Sequence, residues 1–359
     1  MLDCYVANVH HVGMRFPESL KRHAEPERPR LAAAFAMRPG LAGRLFGGAE
    51  LGRIRAVADI DETSVVSDIA GSDPELLTGL DVVITGWGSP LLDRAALDAM
   101  PRLRAIIHAG GTVKHHVAPE AWERGILVTT AADANAYPVA EYTLAAILLA
   151  GKDVPAMAAG YAADPAFDTA SRTGIGNYHR TIGILGASRV GRRVIELLGQ
   201  FDFRVLLYDP HLPNADMVLT RARRVGLDDL FRLSSIVSVH APLLPETTGL
   251  VGREQLGLMS PGSVLINTAR GAIVDHEALT HAVRTRDLRA VLDVTDPEPL
   301  PADHPLRQLP GVILTPHVAG SLGNELRRLG EAAVDELELL AAGRPPRYPI
   351  GRQALVTMA

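Results

Sequence analysis

The sequence predicts an α/β protein with two Rossmann- or flavodoxin-like, doubly wound parallel-sheet domains and a cleft between them. Short apolar runs alternate with helix-like segments, and this alternation implies βαβ units with right-handed crossovers. The alternation occurs twice, on either side of a Gly-, Ala-, Asp- and Pro-rich segment at Gly151–Tyr178 that is typical of a connector. A chain of 359 residues with 47% hydrophobic content is long enough for two cores.

The first set of strands is predicted to begin at Leu31–Met37, an apolar run that stops at Arg38-Pro39-Gly40. Helix-like segments such as Leu91–Met100 and Pro119–Glu123 separate the strands that follow. Those strands are predicted at Val82–Thr85, Ala105–His108 and Ile126–Thr129. The next helix, Tyr137–Ala150, is apolar nearly all round, so we expect it to be buried between layers or domains.

The second set of strands restarts after the connector. Its strands are predicted at Thr181–Gly186, Arg204–Tyr208, Ile236–Ala241, Ser263–Thr268, Arg289–Thr295 and Val312–Leu314. Arg189–Gln200 predicts a helix after the first of these, and Gly323–Leu340 predicts a final amphipathic helix. Residues 1–28 are polar and have no clear period, so we treat them as an N-terminal extension of unknown role.

Composition excludes several classes of partner. A net charge of −5 with interspersed signs gives no basic stripe for nucleic acid. The single cysteine, Cys4, cannot form an internal disulfide and fits a reducing cytosol. No run of 18 or more apolar residues occurs, so we expect a cytoplasmic protein that binds no membrane. His115, His116 and Asp133 lack the spacing of a closed metal site, and no metal is expected.

A candidate dinucleotide-binding turn lies at Gly186-Ala-Ser-Arg-Val-Gly191, between a predicted strand and a predicted helix. Gly186 makes the tight turn, Gly191 lets helix and strand pack closely, and amide groups at the helix start face a pyrophosphate. Ser188 stands where the usual pattern has its middle glycine, so its Cβ should push the pyrophosphate outward while its hydroxyl can donate to it. A tight turn in an unrelated α/β protein is the alternative.

Asp209 favours the dinucleotide interpretation. It ends the predicted strand Arg204–Tyr208, about twenty residues after the turn, where a carboxylate binds the adenosine ribose hydroxyls. A carboxylate there also repels a 2′-phosphate, which favours NAD over NADP. The structural alternative is that Asp209-Pro210 only begins a turn.

Three residues with the chemistry for reducing a 2-keto acid follow predicted strands: Arg270, Glu298 and His317. A guanidinium binds a carboxylate and polarises a carbonyl, and an imidazolium donates the proton. A carboxylate within hydrogen-bond reach of an imidazole favours its protonated form. The alternatives are a structural ion pair for Arg270, an exposed loop acid for Glu298 and a strand-end cap for His317.

These residues, taken in order, resemble the D-isomer-specific 2-hydroxyacid dehydrogenases. The resemblance covers roughly residues 80–342 and rests on several independent stretches. They are His108–Thr112, Gly125–Val128, Val139–Glu141, Val239–Leu250, Met259–Gly271, Leu292–Pro299 and Leu314–Gly320. Ser188 in place of glycine, and His108 where the family often has arginine, are departures.

The resemblance implies NAD as cofactor, a homodimer, and a discontinuous substrate-binding domain formed by residues 29–145 and 325–359, with the NAD-binding domain, residues 146–324, inserted. It implies that Arg270 binds the substrate carboxylate and carbonyl, and that His317, paired with Glu298, is the acid/base. Asp293 would lie near the nicotinamide carboxamide. The implied cofactor-binding residues are Gly186, Ser188, Arg189, Val190, Gly191, Asp209, His240, Thr268, Ala269, Asp293 and Gly320. The implied substrate-binding residues are Trp87, His108, Gly110, Gly111 and Arg270.

The sequence leaves several alternatives for the side chain of the substrate. Trp87 is either a wall that limits the side chain or a packing residue, and His108, Lys114 and His115 leave room for a second acidic group. Phosphite oxidation on the same scaffold is an alternative, as is a non-catalytic NAD-sensing corepressor. Formate oxidation is disfavoured, because the formate enzymes of this fold carry glutamine where Glu298 stands.

Overall fold

The structure is a computed structural model that describes residues 30–164, 166–168, 174–353 and 355. The proposed extension, residues 1–28, and Cys4 therefore lie outside the described residues. Within the described part, the strands form one five-stranded and one seven-stranded sheet, and every strand pairing in them is parallel. The predicted fold class is confirmed.

The first sheet has the strand order β2-β1-β3-β4-β5. Its strands are β1 (Leu31–Ala36), β2 (Ala58–Val65), β3 (Val82–Thr85), β4 (Ala105–His108) and β5 (Leu127–Thr130). The helices in this part are α1 (Leu41–Leu45), α2 (Gly48–Val57), α3 (Pro74–Gly79), α4 (Arg94–Ala99) and α5 (Glu120–Glu123). Both β3 and β4 are buried along their whole length, as expected for inner strands covered on two faces.

The second sheet has the strand order β12-β11-β10-β9-β6-β7-β8. Strands β7 and β8 are added on one side of β6, and strands β9 to β12 on its other side, so the order of the strands reverses between β6 and β9. Its strands are β6 (Thr181–Leu185), β7 (Arg204–Tyr208), β8 (Arg223–Arg224), β9 (Ile236–Val239), β10 (Val264–Asn267), β11 (Arg289–Leu292) and β12 (Val312–Leu314). Its helices are α8 (Arg189–Leu198), α9 (Leu227–Leu233), α10 (Arg253–Leu258) and α11 (His276–Arg286). Such a reversal places a crevice at the carboxyl ends of the strands, where ligands bind in open α/β sheets.

Two long helices join the halves. α6 (Ala132–Gly151) packs against α8 of the second half and against α12 (Leu326–Ala341). α12 returns to the first half, where it packs on α1, α2 and β4. The tail after α12 follows it: the Trp122 indole N–H donates to the Ile350 carbonyl at 2.6 Å. The final helix therefore belongs to the core of the first sheet.

The connector prediction for Gly151–Tyr178 was wrong in part, because α7 (Val154–Ala163) forms there. Its sequence is rich in alanine, the best helix former, and Pro155 sits in its first turn. Strand β2 was missed because its sequence, ADIDETSV, is polar and lies at an exposed sheet edge. The predicted strand Arg289–Thr295 ends earlier, at Leu292.

The helix predicted at Tyr137–Ala150 lies between the two halves as expected, because α6 packs on α8 and on α12. α6 buries one stripe, which includes Val139, Thr143 and Ile147, while Leu149 on the other side is 50% exposed. Among the described residues no single helix is long and apolar enough to cross a membrane. α6 and α7 reach that length and apolarity only when joined across a 53° bend.

Candidate active site

The loops that leave the carboxyl ends of the two sheets approach each other at Asn135, on the first turn of α6. The Asn135 side-chain oxygen accepts a hydrogen bond from the Ser321 amide at 3.0 Å, in the loop after β12. A Cβ on Gly111, in the loop after β4, would lie 3.7 Å from the Asn135 side-chain nitrogen. Asn135 therefore lies between the loop after β4 and the loop after β12.

His317 and Glu298 form a direct pair at this edge. His317 Nδ1–H donates to Glu298 Oε1 at 2.7 Å, with the two side chains 50% and 43% exposed. Because Nδ1 is occupied by the carboxylate, Nε2 is the nitrogen that remains for a ligand. This geometry orients the imidazole and leaves Nε2 toward the edge of the sheet.

The loop that carries His317 is organised around the Asp293 carboxylate, which is 1% exposed. Asp293 Oδ1 accepts from the Thr315 hydroxyl at 2.6 Å and from the Val318 amide at 2.8 Å, and Oδ2 accepts from the Ala319 amide at 2.8 Å. His317 itself has φ 53°, a left-handed conformation that costs about 1–2 kcal/mol for a residue other than glycine. The hydrogen bonds of Asp293 stabilise that conformation.

Arg270 follows β10 and is half-buried on the same edge. Its Nη1–H donates to the Ala269 carbonyl at 2.7 Å, and the Asn267 side-chain amide donates to the Arg270 carbonyl at 2.9 Å. Burial lowers the pKa of Arg270 from its ordinary value, and the Glu298 charge opposes that effect. Arg270 and Glu298 are thus close enough to interact, and the structure brings the predicted catalytic residues together.

The glycine-bearing turn has the shape that a dinucleotide needs. Gly186 has φ 99°, and a Cβ there would lie 2.7 Å from the Ala241 amide nitrogen. A Cβ on Gly191 would lie 2.1 Å from the Gly186 carbonyl oxygen. Side chains at these positions would therefore disrupt the turn and the close packing of α8 on β6. The start of α8 then offers amide groups and the positive end of its dipole to a pyrophosphate.

Two polar side chains at the turn form hydrogen bonds to backbone amides of the protein. The Ser188 hydroxyl caps α8 by accepting from the Gly191 amide at 3.3 Å, which leaves its own O–H free to donate. Asp209 accepts from the Ala187 amide at 2.8 Å and from the His211 amide at 2.9 Å. The carboxylate therefore lies beside the turn, where its unused lone pairs can meet ribose hydroxyls. The residues present fit an NAD molecule.

The other predicted cofactor residues lie in two places. Arg189, in the first turn of α8, binds Asp133 of α6 at 3.1 Å, and Val190 packs against a hydrophobic core. His240 is buried beneath the glycine turn and hydrogen-bonded to Ser238 at 2.8 Å, and burial lowers its pKa to about 3. Thr268 and Ala269 follow β10 and are nearly buried, and Gly320 lies against Asn135.

The predicted substrate residues of the first half lie at one edge of its sheet. Trp87 follows β3 and is 37% exposed. His108 ends β4 but is 3% exposed, bonded to Thr85 at 2.9 Å, and burial holds its pKa well below the ordinary value. A Cβ on Gly110 would lie 2.5 Å from His108 Nε2, so this neutral ring supports the Gly110–Gly111 loop from behind.

Sequence reasoning missed several residues that organise the site. Asn135 and Tyr142 lie on α6, and the Tyr142 hydroxyl donates to Thr315 at 2.8 Å, which in turn donates to Asp293. Thr143, also on α6, is hydrogen-bonded to Thr268 at 3.0 Å. Tyr142 and Thr143 were at least on the helix predicted between the domains, whereas Asn135 precedes that prediction. The hydrogen-bond partners of all three are more than a hundred residues away in the chain.

Comparison with known proteins agrees with this geometry. Residues 144–319 match the family D-isomer specific 2-hydroxyacid dehydrogenase, NAD binding domain. The chain is 33% identical over 253 residues to the D-3-phosphoglycerate dehydrogenase of Mycobacterium bovis, covering 70% of this chain and 48% of that protein. It therefore spans about half the length of that curated relative.

Two further relatives are matched over most of their length. The chain is 33% identical to the glyoxylate reductase of Thermofilum pendens, covering 74% of this chain and 79% of that protein. A phosphoglycerate oxidoreductase structure from Rhizobium etli superposes with a TM-score of 0.78 at 25% identity, covering 91% of this chain and 100% of that chain. With its two parallel sheets and its NAD-binding turn, the chain belongs to the D-isomer-specific 2-hydroxyacid dehydrogenase family.

Proposed function

We propose that the protein reduces a 2-keto acid to a D-2-hydroxy acid with NADH, reversibly. The observation that carries this proposal is the 2.7 Å pair of His317 and Glu298, which lies on the same sheet edge as the half-buried Arg270. A cation, an acid and the carboxylate that supports the acid are the groups that polarise a carbonyl and protonate its oxygen.

In this proposal NADH, when bound, supplies the hydride that adds to the carbonyl carbon. His317 Nε2–H then donates the proton to the carbonyl oxygen, while Glu298 stabilises the imidazolium before the transfer. The Arg270 guanidinium binds the substrate carboxylate and polarises the carbonyl, and the Gly110 and Gly111 amides bind the remaining carboxylate oxygen. In the oxidation direction His317 takes the proton back.

The proposed division of the chain follows from these roles. Residues 29–145 with 325–359 bind the substrate, and residues 146–324 bind NAD. The turn from Gly186 to Gly191, with Ser188, Arg189 and Val190, would hold the pyrophosphate, and Asp209 the ribose. Asp293, Thr268 and Ala269 would line the nicotinamide pocket, and His240 and Gly320 would complete the cofactor site. Trp87 and His108 would lie on the substrate side.

Absorbance of NADH with a panel of 2-keto acids tests the proposal, and chiral analysis of the product tests the D configuration. His317→Asn is the sharpest variant, because asparagine tolerates the left-handed backbone of that position. Loss of the acid should lower kcat by roughly 10²–10⁴-fold while NADH binding is retained. The control is His281→Ala, on the exposed side of α11.

Two results would overturn the assignment. One is turnover by His317→Asn at the rate of the control. The other is a wild-type protein that binds NADH but reduces none of the keto acids, which would support a non-catalytic NAD sensor. Phosphite with NAD is included as a substrate, and turnover of phosphite alone would favour oxidation of that anion on the same scaffold.

We also propose a cytoplasmic homodimer whose interface includes α6 and α7. α7 has no charged residue and none of its side chains is buried; Tyr161 is 67% exposed, and Leu149 of α6 is half-exposed nearby in sequence. Apolar side chains exposed on neighbouring helices favour burial against a second copy. Light scattering should give a dimer for the wild type and for Leu91→Lys, and a monomer for Tyr161→Lys. A wild-type monomer contradicts the proposal.

A further inference from the structure

Gly271, the residue after Arg270, lies directly against the backbone of the loop that carries Glu298. A Cβ on Gly271 would be 2.0 Å from the Thr295 carbonyl carbon, 2.1 Å from its oxygen and 2.6 Å from the Asp296 amide nitrogen. Ordinary contact with a Cβ begins at 3.4 Å, so the two backbones lie closer together than any side chain allows. Gly271 does not have a positive φ, so this contact, and not its backbone conformation, excludes a side chain.

The Gly271 side of this contact is held in place by the second half of the protein. The Gly249 amide donates to the Ala272 carbonyl at 2.8 Å, and the Val251 amide donates to the Ile273 carbonyl at 3.0 Å. The Ile273 side chain is fully buried in the hydrophobic core of the second sheet. This side of the contact is therefore fixed by the core.

The loop that carries Glu298 is supported at its start and at its end. At the start, the Thr295 hydroxyl donates to the Pro297 carbonyl at 2.9 Å. At the end, the His304 ring lies edge-on to the buried His276 ring, with centroids 6.3 Å apart. Because Glu298 follows so soon after Thr295 in the chain, a shift of the Thr295 backbone moves the Glu298 carboxylate.

The glycine contact therefore sets the spacing between two parts of the candidate site. On one side is the Arg270 guanidinium, and on the other is the Glu298 carboxylate with its 2.7 Å hydrogen bond to His317. His317 is held separately by the hydrogen bonds of its own loop. A Cβ at position 271 would force the Thr295 carbonyl carbon to retreat from 2.0 to 3.4 Å, and this retreat moves Glu298 away from its partners.

We propose that Gly271 is a positioning residue: its lack of a side chain lets the Arg270 segment and the Glu298 loop meet backbone to backbone, and this contact sets the spacing of Arg270, Glu298 and His317. The inference rests on the proposed function, in which those three residues carry the reaction. Catalysis depends steeply on such spacing, since a misplacement of about 1 Å lowers a rate by up to roughly 10²-fold. Gly271 acts through Arg270 and Glu298.

The test is Gly271→Ala, with kcat expressed per NADH-binding site, so that unfolded protein is not counted. Fluorescence titration with NADH gives the number of sites and their affinity. We expect kcat per site to fall by about 10²-fold, because the Glu298 loop has to move. The KM for the keto acid and the affinity for NADH should stay within about threefold of wild type, because the core holds Arg270 in place.

Two other glycine-to-alanine variants are the matched controls. Gly330→Ala creates a similar overlap elsewhere, because a Cβ there would lie 2.1 Å from the Leu45 carbonyl oxygen, where α12 packs on α1. Gly257→Ala, in α10, adds a Cβ that has nothing within 4 Å. Both should keep kcat per NADH site within about twofold of wild type, although Gly330→Ala should melt at a lower temperature.

Thr295→Val keeps the inference testable if Gly271→Ala does not fold. Valine has nearly the shape of threonine but lacks the hydroxyl that donates to Pro297 at the glycine contact. kcat per NADH site should fall by about three- to tenfold, the range expected for one hydrogen bond, with the KM for the keto acid unchanged.

Three results overturn the inference while leaving the proposed function intact. The first is a kcat per NADH site in Gly271→Ala equal to that of wild type, and the second is an equal loss in Gly271→Ala and Gly330→Ala. The third applies if Gly271→Ala binds no NADH, and it is a Thr295→Val variant with the kcat of wild type. If the wild-type protein reduces no keto acid, the proposed function itself has failed.

Discussion

Asp293→Asn separates the role of the His317 loop from the role of His317 itself. The Asp293 carboxylate accepts three hydrogen bonds from that loop, two on Oδ1 and one on Oδ2. Asparagine can keep its oxygen toward the Thr315 hydroxyl and the Val318 amide. Its NH₂ group then faces the Ala319 amide, so two donors oppose each other and the Ala319 N–H is left buried without an acceptor.

The expected magnitude follows from those contacts. A buried amide without a partner costs about 1–3 kcal/mol. Holding His317 in its left-handed conformation costs about 1–2 kcal/mol. Because the two costs are similar, the variant loop should leave the catalytic geometry for most of the time. We expect kcat to fall by about ten- to hundredfold, since every 1.4 kcal/mol is a factor of ten.

The assay is NADH consumption with a saturating keto acid, together with the KM for NADH and the melting temperature. A matched control is Asp275→Ala, which removes the N-cap of α11 and costs about 1 kcal/mol away from the loop. A fall in kcat for Asp293→Asn alone supports the reasoning. A kcat for Asp293→Asn equal to that of the wild type, whatever the KM for NADH, would refute it.

Three further predictions concern α6, the buried His116 and the cofactor. Tyr142→Phe removes the donor to Thr315 and should lower kcat about fivefold, worth about 1 kcal/mol; Tyr161→Phe is the control, and equal kinetics in both variants would contradict the link. The pKa of His116 is lowered from 6.5 to about 4 in the folded state, so its contribution to stability is complete above pH 6.5 and is lost as the pH falls toward 4. The free energy of unfolding, measured by denaturant titration at each pH, should therefore fall with acid less steeply in His116→Leu than in wild type, by up to about 1.4 kcal/mol per pH unit. Parallel curves would show that His116 is not responsible. Asp209→Asn should raise the NADPH-to-NADH ratio of kcat/KM about tenfold by removing a repulsive charge, and an unchanged ratio would place the adenosine ribose elsewhere.

Much of the fold follows from local sequence signals. Buried parallel strands such as β3 and β4 are continuous apolar runs, and turn residues and helix-like segments separate them, so their order could be predicted along the chain. β2 could not, because an exposed edge strand needs no apolar pattern and gains its stability from pairing with β1. α7 was missed for a related reason: a stretch of alanine and glycine with no amphipathic pattern is typical of a connector and of a helix alike.

The candidate site likewise contains residues that the sequence could predict and residues that it could not. Residue type and position after a strand were enough to select Arg270, Glu298 and His317, because parallel strands carry their carboxyl ends to one edge. Residues that act by contact across the fold, such as Asn135 and Tyr142, left no local signal. The neutral state of His108 likewise depends on burial, which the sequence around it does not reveal.

The sequence by itself therefore determined the architecture, the cofactor turn and the chemical groups of the site, because these depend on periodicity, spacing and residue type within short segments. Only the tertiary structure decided which charges are paired and which are not. It paired Glu298 with His317, and it buried the His108 ring beneath the Gly110 loop, where the ring is neutral. The reason is physical: pairing and desolvation depend on distances between residues far apart in the chain, and those distances exist only after folding.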